Sequence, residues 1–335
     1  MRTRFAKLLL LGFGVAMAVV LLCTLSNREP EYQGKRLSAW FKQYYRSGQH
    51  SRQWKDQHDE AAQALRAMGT NAVPFLLKRF YSYSPDAPLK TNVLTFLSRL
   101  PEPFRFPPFV PAWVICNEAA NAIGEIKPAE EFLLPLVTNR LHSTNQLERN
   151  ATISLLCATQ SGVGEVMPFL RDMLSSTNGT NQLTGVIRLR QLGRAARPAL
   201  PDLVELVNGE KSDQRAVHAA CRVLAEFDAE AADAVPAIKA RLGREKQATS
   251  RINFAKTLCR IDAQQTDALE VLIQYAQDQT NSQRGFAITS LGNVGLNAKA
   301  AIPVLLEAAR EEDERVWNIA ANALVRIGET NLGRR

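Results

Sequence analysis

Residues 189–204 read LRQLGRAARPALPDLV, and the same arrangement returns three more times toward the C-terminus. An apolar residue, Leu192, precedes Gly193, and Pro201 stands eight residues after that glycine, inside an apolar run. The same step of eight joins Asp228 to Pro236, Asp262 to Glu270 and Gly295 to Pro303. The residue just ahead is apolar each time (Leu192, Phe227, Ile261, Val294), and a leucine stands three further back (Leu189, Leu224, Leu258, Leu291). The proline column continues upstream through Pro168, Pro135 and Pro74. Successive prolines lie 61, 33, 33, 35 and 67 residues apart. The 67 covers two periods, with Glu270 in the vacant slot, and the 61 contains an insertion. The last copy keeps Leu324, Ile327 and Gly328; the first keeps Leu65, Met68 and Gly69 with a shorter turn. Self-similarity at this spacing marks a repeat array.

Each unit reads as two helices. The first carries small and apolar residues at helical spacing, as in Ala320, Ala323, Leu324 and Ile327. It stops at Gly or Asp; glycine takes the left-handed cap without penalty, and aspartate tolerates it less well. A short polar turn follows. The second helix begins with its proline in or near the first turn, where the missing N–H costs least. Neither helix can bury its apolar face alone, so neighbouring units must stack. The composition agrees: 46% apolar residues but only 7% aromatic suits close helix packing better than sheets.

The segment Glu314-Arg315-Val316-Trp317-Asn318-Ile319-Ala320-Ala321-Asn322-Ala323-Leu324-Val325-Arg326-Ile327-Gly328 resembles the short HEAT repeats of phycobilin lyases, whose pattern is D-x-x-V-R-x-x-A-A-x-A-L-x-x-I-G. The AVP and AIP turns are also typical of that family. The resemblance covers residues 58–335 and implies an all-α fold, a right-handed α-α superhelix of about seven helical pairs. It says almost nothing about activity. Thr159 in the apolar column of the copy at 146–178, and Glu270 in the proline column, mark those two copies as irregular. Upstream, Tyr32-Gln33-Gly34-Lys35-Arg36-Leu37-Ser38-Ala39-Trp40-Phe41 is similar to a stretch that follows a membrane segment in bacterial HEAT-repeat proteins.

Residues 8–25 read LLLLGFGVAMAVVLLCTL, without charge. As a helix this run spans about 27 Å, close to the thickness of a bilayer's hydrocarbon core. Arg2, Arg4 and Lys7 precede it, which keeps the N-terminus cytoplasmic and sends the rest of the chain across. The expected organisation is a basic tip and signal anchor over 1–28, a helical lead-in over 29–57, and repeats over 58–335 with an insertion at 81–112. Thr24-Leu25-Ser26 offers a cleavage site, so a cleaved signal peptide and secretion are the alternative. Acylation at Cys23 is disfavoured by Leu22 before it. Of the net charge of +8, residues 1–50 carry +6, leaving a nearly neutral body. That distribution flanks a membrane and does not track phosphates, so no nucleic-acid partner is expected.

Within the insertion, residues 89–100 could form one helix. Residues 101–111 hold five prolines and must run extended. Phe104, Phe106 and Phe109 there either pack over neighbouring repeats or contact a partner.

No reactive constellation stands out. His50, His58, His142 and His218 are scattered, without HExxH spacing, and no two cysteines form CxxC. Asp56-Gln57-His58-Asp59-Glu60 reads as the acidic start of a helix. Cys116, Cys157, Cys221 and Cys259 read as free thiols, the last three as buried small residues. Asn150 and Asn178 open glycosylation sequons but read as helix-start and turn residues. No catalytic residue, metal, cofactor or small-molecule substrate is expected.

One pattern points outward. The positions one and five before the apolar column share a helix face. They hold Glu226 and Arg222, Arg260 and Lys256, Asn293 and Thr289, Arg326 and Asn322, and His218 and Asn318 extend it by a turn. Such a row would floor a groove for a peptide or an acidic surface. The expected function is a non-enzymatic scaffold that binds a protein partner on the extracytoplasmic, periplasmic side of a bacterial membrane. A lyase-like or chaperone-like enzyme acting on a protein, and a HEAT-like nucleic-acid binder, are the alternatives.

Overall fold

The computed structural model describes residues 29–46, 52–82, 95–96 and 110–329. These are almost entirely α-helical, and the chain divides into two compact units, Met1–Ser161 and Gly162–Arg335. The apolar run 8–25 with Cys23, His50, Phe104, Phe106 and Phe109 lie outside the described residues. So does the expected helix at 89–100, apart from Thr95 and Phe96, which are helical. Among the described residues no helix is long and apolar enough to cross a membrane.

The first unit opens on a hairpin that the helical reading did not include. Strands β1 (Glu31–Tyr32) and β2 (Lys35–Arg36) pair antiparallel through the turn residues Gln33 and Gly34. Both turn residues have positive φ, +50° and +71°, the backbone a two-residue hairpin needs. Lys35 Nζ sits 3.9 Å above the Trp40 ring, and Trp40 Nε1 donates to the Tyr32 carbonyl at 3.0 Å. Those contacts seat the hairpin on α1 (Leu37–Arg46), which buries Leu37, Trp40, Phe41 and Tyr44.

Helix α2 (Arg52–Met68) corrects two expectations. The boundary at 57 falls inside it, and the Asp56–Glu60 cluster lies beyond its first turn instead of capping it. No Gly or Pro interrupts 52–68, so the helix propagates upstream past the acids. His58 packs against Tyr44, with ring centroids 4.5 Å apart. After a 3-10 turn come α3 (Val73–Tyr81), α4 (Ala112–Ile126), α5 (Glu130–Leu141) and α6 (Gln146–Thr159). Helices α2 and α3 pack on α4, α4 packs on α6, and α5 packs on α6.

The second unit contains α7 (Val163–Ser175), α8 (Gly179–Leu192), α9 (Leu200–Asn208), α10 (Gln214–Glu226), α11 (Val235–Arg244), α12 (Ala248–Ile261), α13 (Thr266–Gln277), α14 (Arg284–Val294), α15 (Ile302–Ala308) and α16 (Glu314–Ile327). The even-numbered helices α8 to α16 form one layer, each packed on the next. Each odd-numbered helix packs on the even-numbered helix that follows it. Leu189, Leu224, Leu258, Leu291 and Leu324, the column read from the sequence, are all fully buried.

The turns are more ordered than a polar loop. Gly193–Ala199, Asp228–Ala234 and Gly295–Ala301 are 3-10 helices. Each buries two alanines three residues apart: Ala196 and Ala199, Ala231 and Ala234, Ala298 and Ala301. Three residues make one turn of a 3-10 helix, so the pair shares one face. Pro74, Pro201, Pro236 and Pro303 then fall in the first turn of α3, α9, α11 and α15, as expected. Pro135 and Pro168 do not. They stand inside α5 and α7, which start earlier and skip the 3-10 turn. Glu270 likewise lies inside α13. Asp262, with φ −143°, is extended there; it ends α12 and accepts from the Gln264 amide at 2.9 Å.

The two irregular copies differ as the residues require. Thr159 is only partly buried and bonds its hydroxyl back to the Leu155 carbonyl at 3.0 Å, while Gln160 takes the left-handed cap. Of the sequon residues, Asn178 caps α8 by accepting from the Thr180 amide at 2.9 Å, and Asn150 lies within α6. The four described cysteines form no disulfide with one another, and Cys157, Cys221 and Cys259 are buried.

A column of guanidinium groups, not read from the sequence, satisfies the open carbonyls at helix ends. Arg149 donates to the Ser143 carbonyl at 2.8 Å, Arg251 to the Leu242 and Glu245 carbonyls at 3.0 Å, and Arg284 to the Ala276 carbonyl at 2.8 Å. All three stand seven residues before the buried residue of the leucine column. In α10 that position is Val217, and the largely buried Arg241 reaches the Val207 carbonyl at 2.8 Å instead.

Candidate functional site

The outward row read from the sequence lies on the even-numbered layer of the second unit, and the structure divides it in two. The slot one before the apolar column ties neighbouring helices together. Arg190 Nε lies 3.8 Å from Glu226 Oε1. Arg260 donates to the Ala225 carbonyl at 3.2 Å, to Asp228 Oδ1 at 2.9 Å and to the Asn293 carbonyl at 3.3 Å. It thus joins the C-terminal ends of α10 and α14 to its own helix. Arg326 donates to Asn293 Oδ1. Guanidinium groups belong at helix C-termini, where the carbonyls and the helix dipole both favour a cation. Glu226, Arg260, Asn293 and Arg326 are therefore committed to holding the layer together, which the sequence reading did not foresee.

The slot five before the column is different. Arg222, Thr289 and Asn322 are exposed. Thr289 bonds its hydroxyl back to the Gly285 carbonyl at 2.8 Å, and Arg222 and Asn322 carry no hydrogen bond or ion pair among the described residues. Lys256 is half-buried. Its Nζ reaches Asn253 Oδ1 at 3.3 Å and lies 5.9 Å from the centre of the Phe286 ring. Burial, and then the neighbouring Arg222 and Arg260 charges, hold its pKa below the ordinary lysine value. Of the two extending residues, Asn318 turns inward to its own helix, donating to the Glu314 carbonyl at 2.8 Å. His218 is half-buried against Phe254, ring centroids 5.3 Å apart. Burial lowers its pKa against the opposing pull of Glu245.

Between α14 and α16 the row becomes a cleft of about 240 Å³, lined by Thr289, Gly292, Ile319, Asn322, Ala323 and Arg326. The two helices approach closely there: a Cβ on Gly292 would lie 2.8 Å from Ala323 Cα. Phe286, Gly292 and Ile319 were not singled out in the sequence. A glycine inside a helical pattern was the available signal, since it often marks close backbone approach. A second cleft, of about 380 Å³, sits in the first unit between α3 and α5. Two of its polar groups are already engaged: the Arg140 guanidinium stacks 4.0 Å from the centre of the Tyr81 ring and pairs with Glu148, and the Tyr81 hydroxyl meets Thr152 Oγ1 at 2.9 Å.

No protein-family model and no curated protein matches the chain.

Proposed function

We propose that the chain is a non-enzymatic, membrane-anchored scaffold whose HEAT-like repeats form an α-solenoid and bind a protein partner outside the cytoplasm. The observation that carries this reading is the division of the row. Three exposed side chains on α10, α14 and α16, Arg222, Thr289 and Asn322, make no hydrogen bond or ion pair to a neighbouring helix among the described residues, beside residues used in holding the layer together. A repeat layer that presents such a slot on three of its helices suits an extended partner. The resemblance of residues 314–328 to HEAT repeats supports the solenoid, and the uncharged run 8–25 behind three basic residues supports the anchor.

The partner face is tested by photocrosslinking in the native membrane. Full-length chains carry a photoreactive residue at Thr289, at Asn322, or at the exposed control position Lys299. The first two should trap one and the same protein, and Lys299 should not. Equal trapping at all three positions, or trapping at Lys299 alone, rejects the face. The side of the membrane is tested separately. A reporter that works only outside the cytoplasm, fused after Arg335, should be active; activity of a cytoplasm-only reporter at that site rejects the orientation.

A further inference from the structure

Three cations on this face, Arg222, Lys256 and Arg326, have no carboxylate partner among the described residues, and of these Arg326 is held by the Asn293 side chain. Neither Arg222 on α10 nor Lys256 on α12 has a carboxylate within ion-pair distance among the described residues, although Arg260 beside them has Asp228. Elsewhere in the second unit the arginines are mostly matched: Arg171 with Asp202, Arg197 with Glu230, Arg284 with Glu311. The nearby acids are engaged elsewhere: Gln214 Nε2 donates to Glu245 at 2.9 Å, and Glu226, one turn from Arg222, lies 3.8 Å from Arg190 Nε. Helices α10 and α12 are packed neighbours. The Arg222 and Lys256 charges thus repel one another across the helix pair, and burial makes the lysine charge costlier still. The repulsion between these two neighbours, one of them half-buried, is relieved by an incoming anion.

We propose that Arg222 and Lys256 form a carboxylate-binding site, filled by an aspartate or glutamate of an extended acidic segment of the partner. This rests on the reading of the face given above and adds the partner's chemistry. Two cations on adjacent helices can bracket one carboxylate, and a guanidinium offers it two parallel donors. Phe286, half-buried on α14, lies close under the lysine ammonium and gives the residue beside that carboxylate an apolar surface. A nucleic acid would need many regularly spaced cations. The next two steps of the slot are the neutral Thr289 and Asn322, so beyond α12 the face carries only Arg326, too few cations to track a phosphate backbone.

The test is equilibrium binding of a fluorescent peptide of alternating Glu and Ala to the full-length chain in detergent. A length of about eight residues crosses two packed helices. The Gln-Ala and Lys-Ala peptides and an oligothymidylate are run beside it. The acidic peptide should bind, more weakly as salt rises from about 0.05 to 0.5 M, and the others should not. Arg222→Met and Lys256→Met should each weaken it about tenfold. Arg315→Met, which removes an equal charge from a side chain 92% exposed, should leave it unchanged. Lys256→Met keeps the stem and removes a disfavoured charge, so it should melt at or above wild type. Arg222→Met alters an exposed side chain and keeps the test valid on its own. Unchanged binding in the double variant, equal binding of the Gln-Ala peptide, or equal binding of the oligothymidylate overturns the proposal. Partner crosslinking at Thr289 and Asn322 without acidic-peptide binding overturns this proposal alone and leaves the scaffold reading in place.

Discussion

Leu258→Ala is expected to lower the free energy of unfolding by about 2–5 kcal/mol, the range for a leucine truncated to alanine in a helical core. Leu258 is fully buried on α12, and α12 packs against α10, α11, α13 and α14. Its flanking residues Phe254, Ala255, Thr257 and Ile261 are buried as well. Four helices would have to move together to fill the space, so the cavity collapses poorly and the cost should sit in the upper part of the range. Urea denaturation followed by circular dichroism measures it. A repeat layer passes stability from neighbour to neighbour, so the transition should also broaden if α12 melts ahead of the ends. A cost within about 0.5 kcal/mol, the size of an ordinary surface change, would mean that Leu258 does not face the core and that the leucine column is out of register.

That column was legible because burial follows a side chain's position in the repeat, whatever the neighbouring backbone does. The residue two before the proline slot is buried in each copy, from Ala72, Leu133 and Val166 to Ala199, Ala234, Ala268 and Ala301. This holds although α5, α7 and α13 begin earlier than their prolines or Glu270 suggest. Helix starts were less legible. The turn was read with the 3.6-residue period in mind, while alanine pairs such as Ala196 and Ala199 follow the tighter period of a 3-10 helix. The hairpin at 31–36 was missed because two-residue strands carry no alternation. Only Gly34 signalled it, and its partner Gln33 is an uncommon residue at positive φ.

The face itself was half legible. Periodicity says which residues share the side of one helix. It does not say what the next helix presents to them. Arg260 and Lys256 look equivalent in the sequence, four residues apart on one helix. Arg260 meets the C-terminal carbonyls of two neighbouring helices and is spent there, while Lys256 meets Asn253 and an aromatic ring and keeps its charge unmatched. Reversing Lys256, Arg260 and Arg326 together would therefore confuse two effects, loosening the layer and altering the face. Arg222 and Lys256 are the residues that separate them.

The second large effect is expected at Gly292. It lies in the last turn of α14, where alanine is ordinarily the better helix former by up to about 1 kcal/mol. Gly243 in α11 is the reference case: nothing lies within 4 Å of an added Cβ there, so Gly243→Ala should be neutral or stabilising by up to about 1 kcal/mol. At Gly292 the same methyl would lie 2.8 Å from Ala323 Cα and 2.9 Å from Ala323 Cβ. The obstacle is backbone and a Cβ, so no side chain can rotate aside. The helices α14 and α16 must separate, and tightly packed helices resist that; overpacking of this kind costs about 1–3 kcal/mol, which outweighs the gain in propensity. The same slot holds Ala225 in α10 and Cys259 in α12, both buried, so those helix pairs admit a side chain where this one does not. Separation would also widen the cleft that Thr289 and Asn322 line between the same two helices. Gly292→Ala should therefore destabilise the chain and weaken crosslinking from Asn322, with Gly243→Ala doing neither. Equal melting temperatures for the two variants would show that α14 and α16 are not held in the close contact on which the shape of the cleft depends.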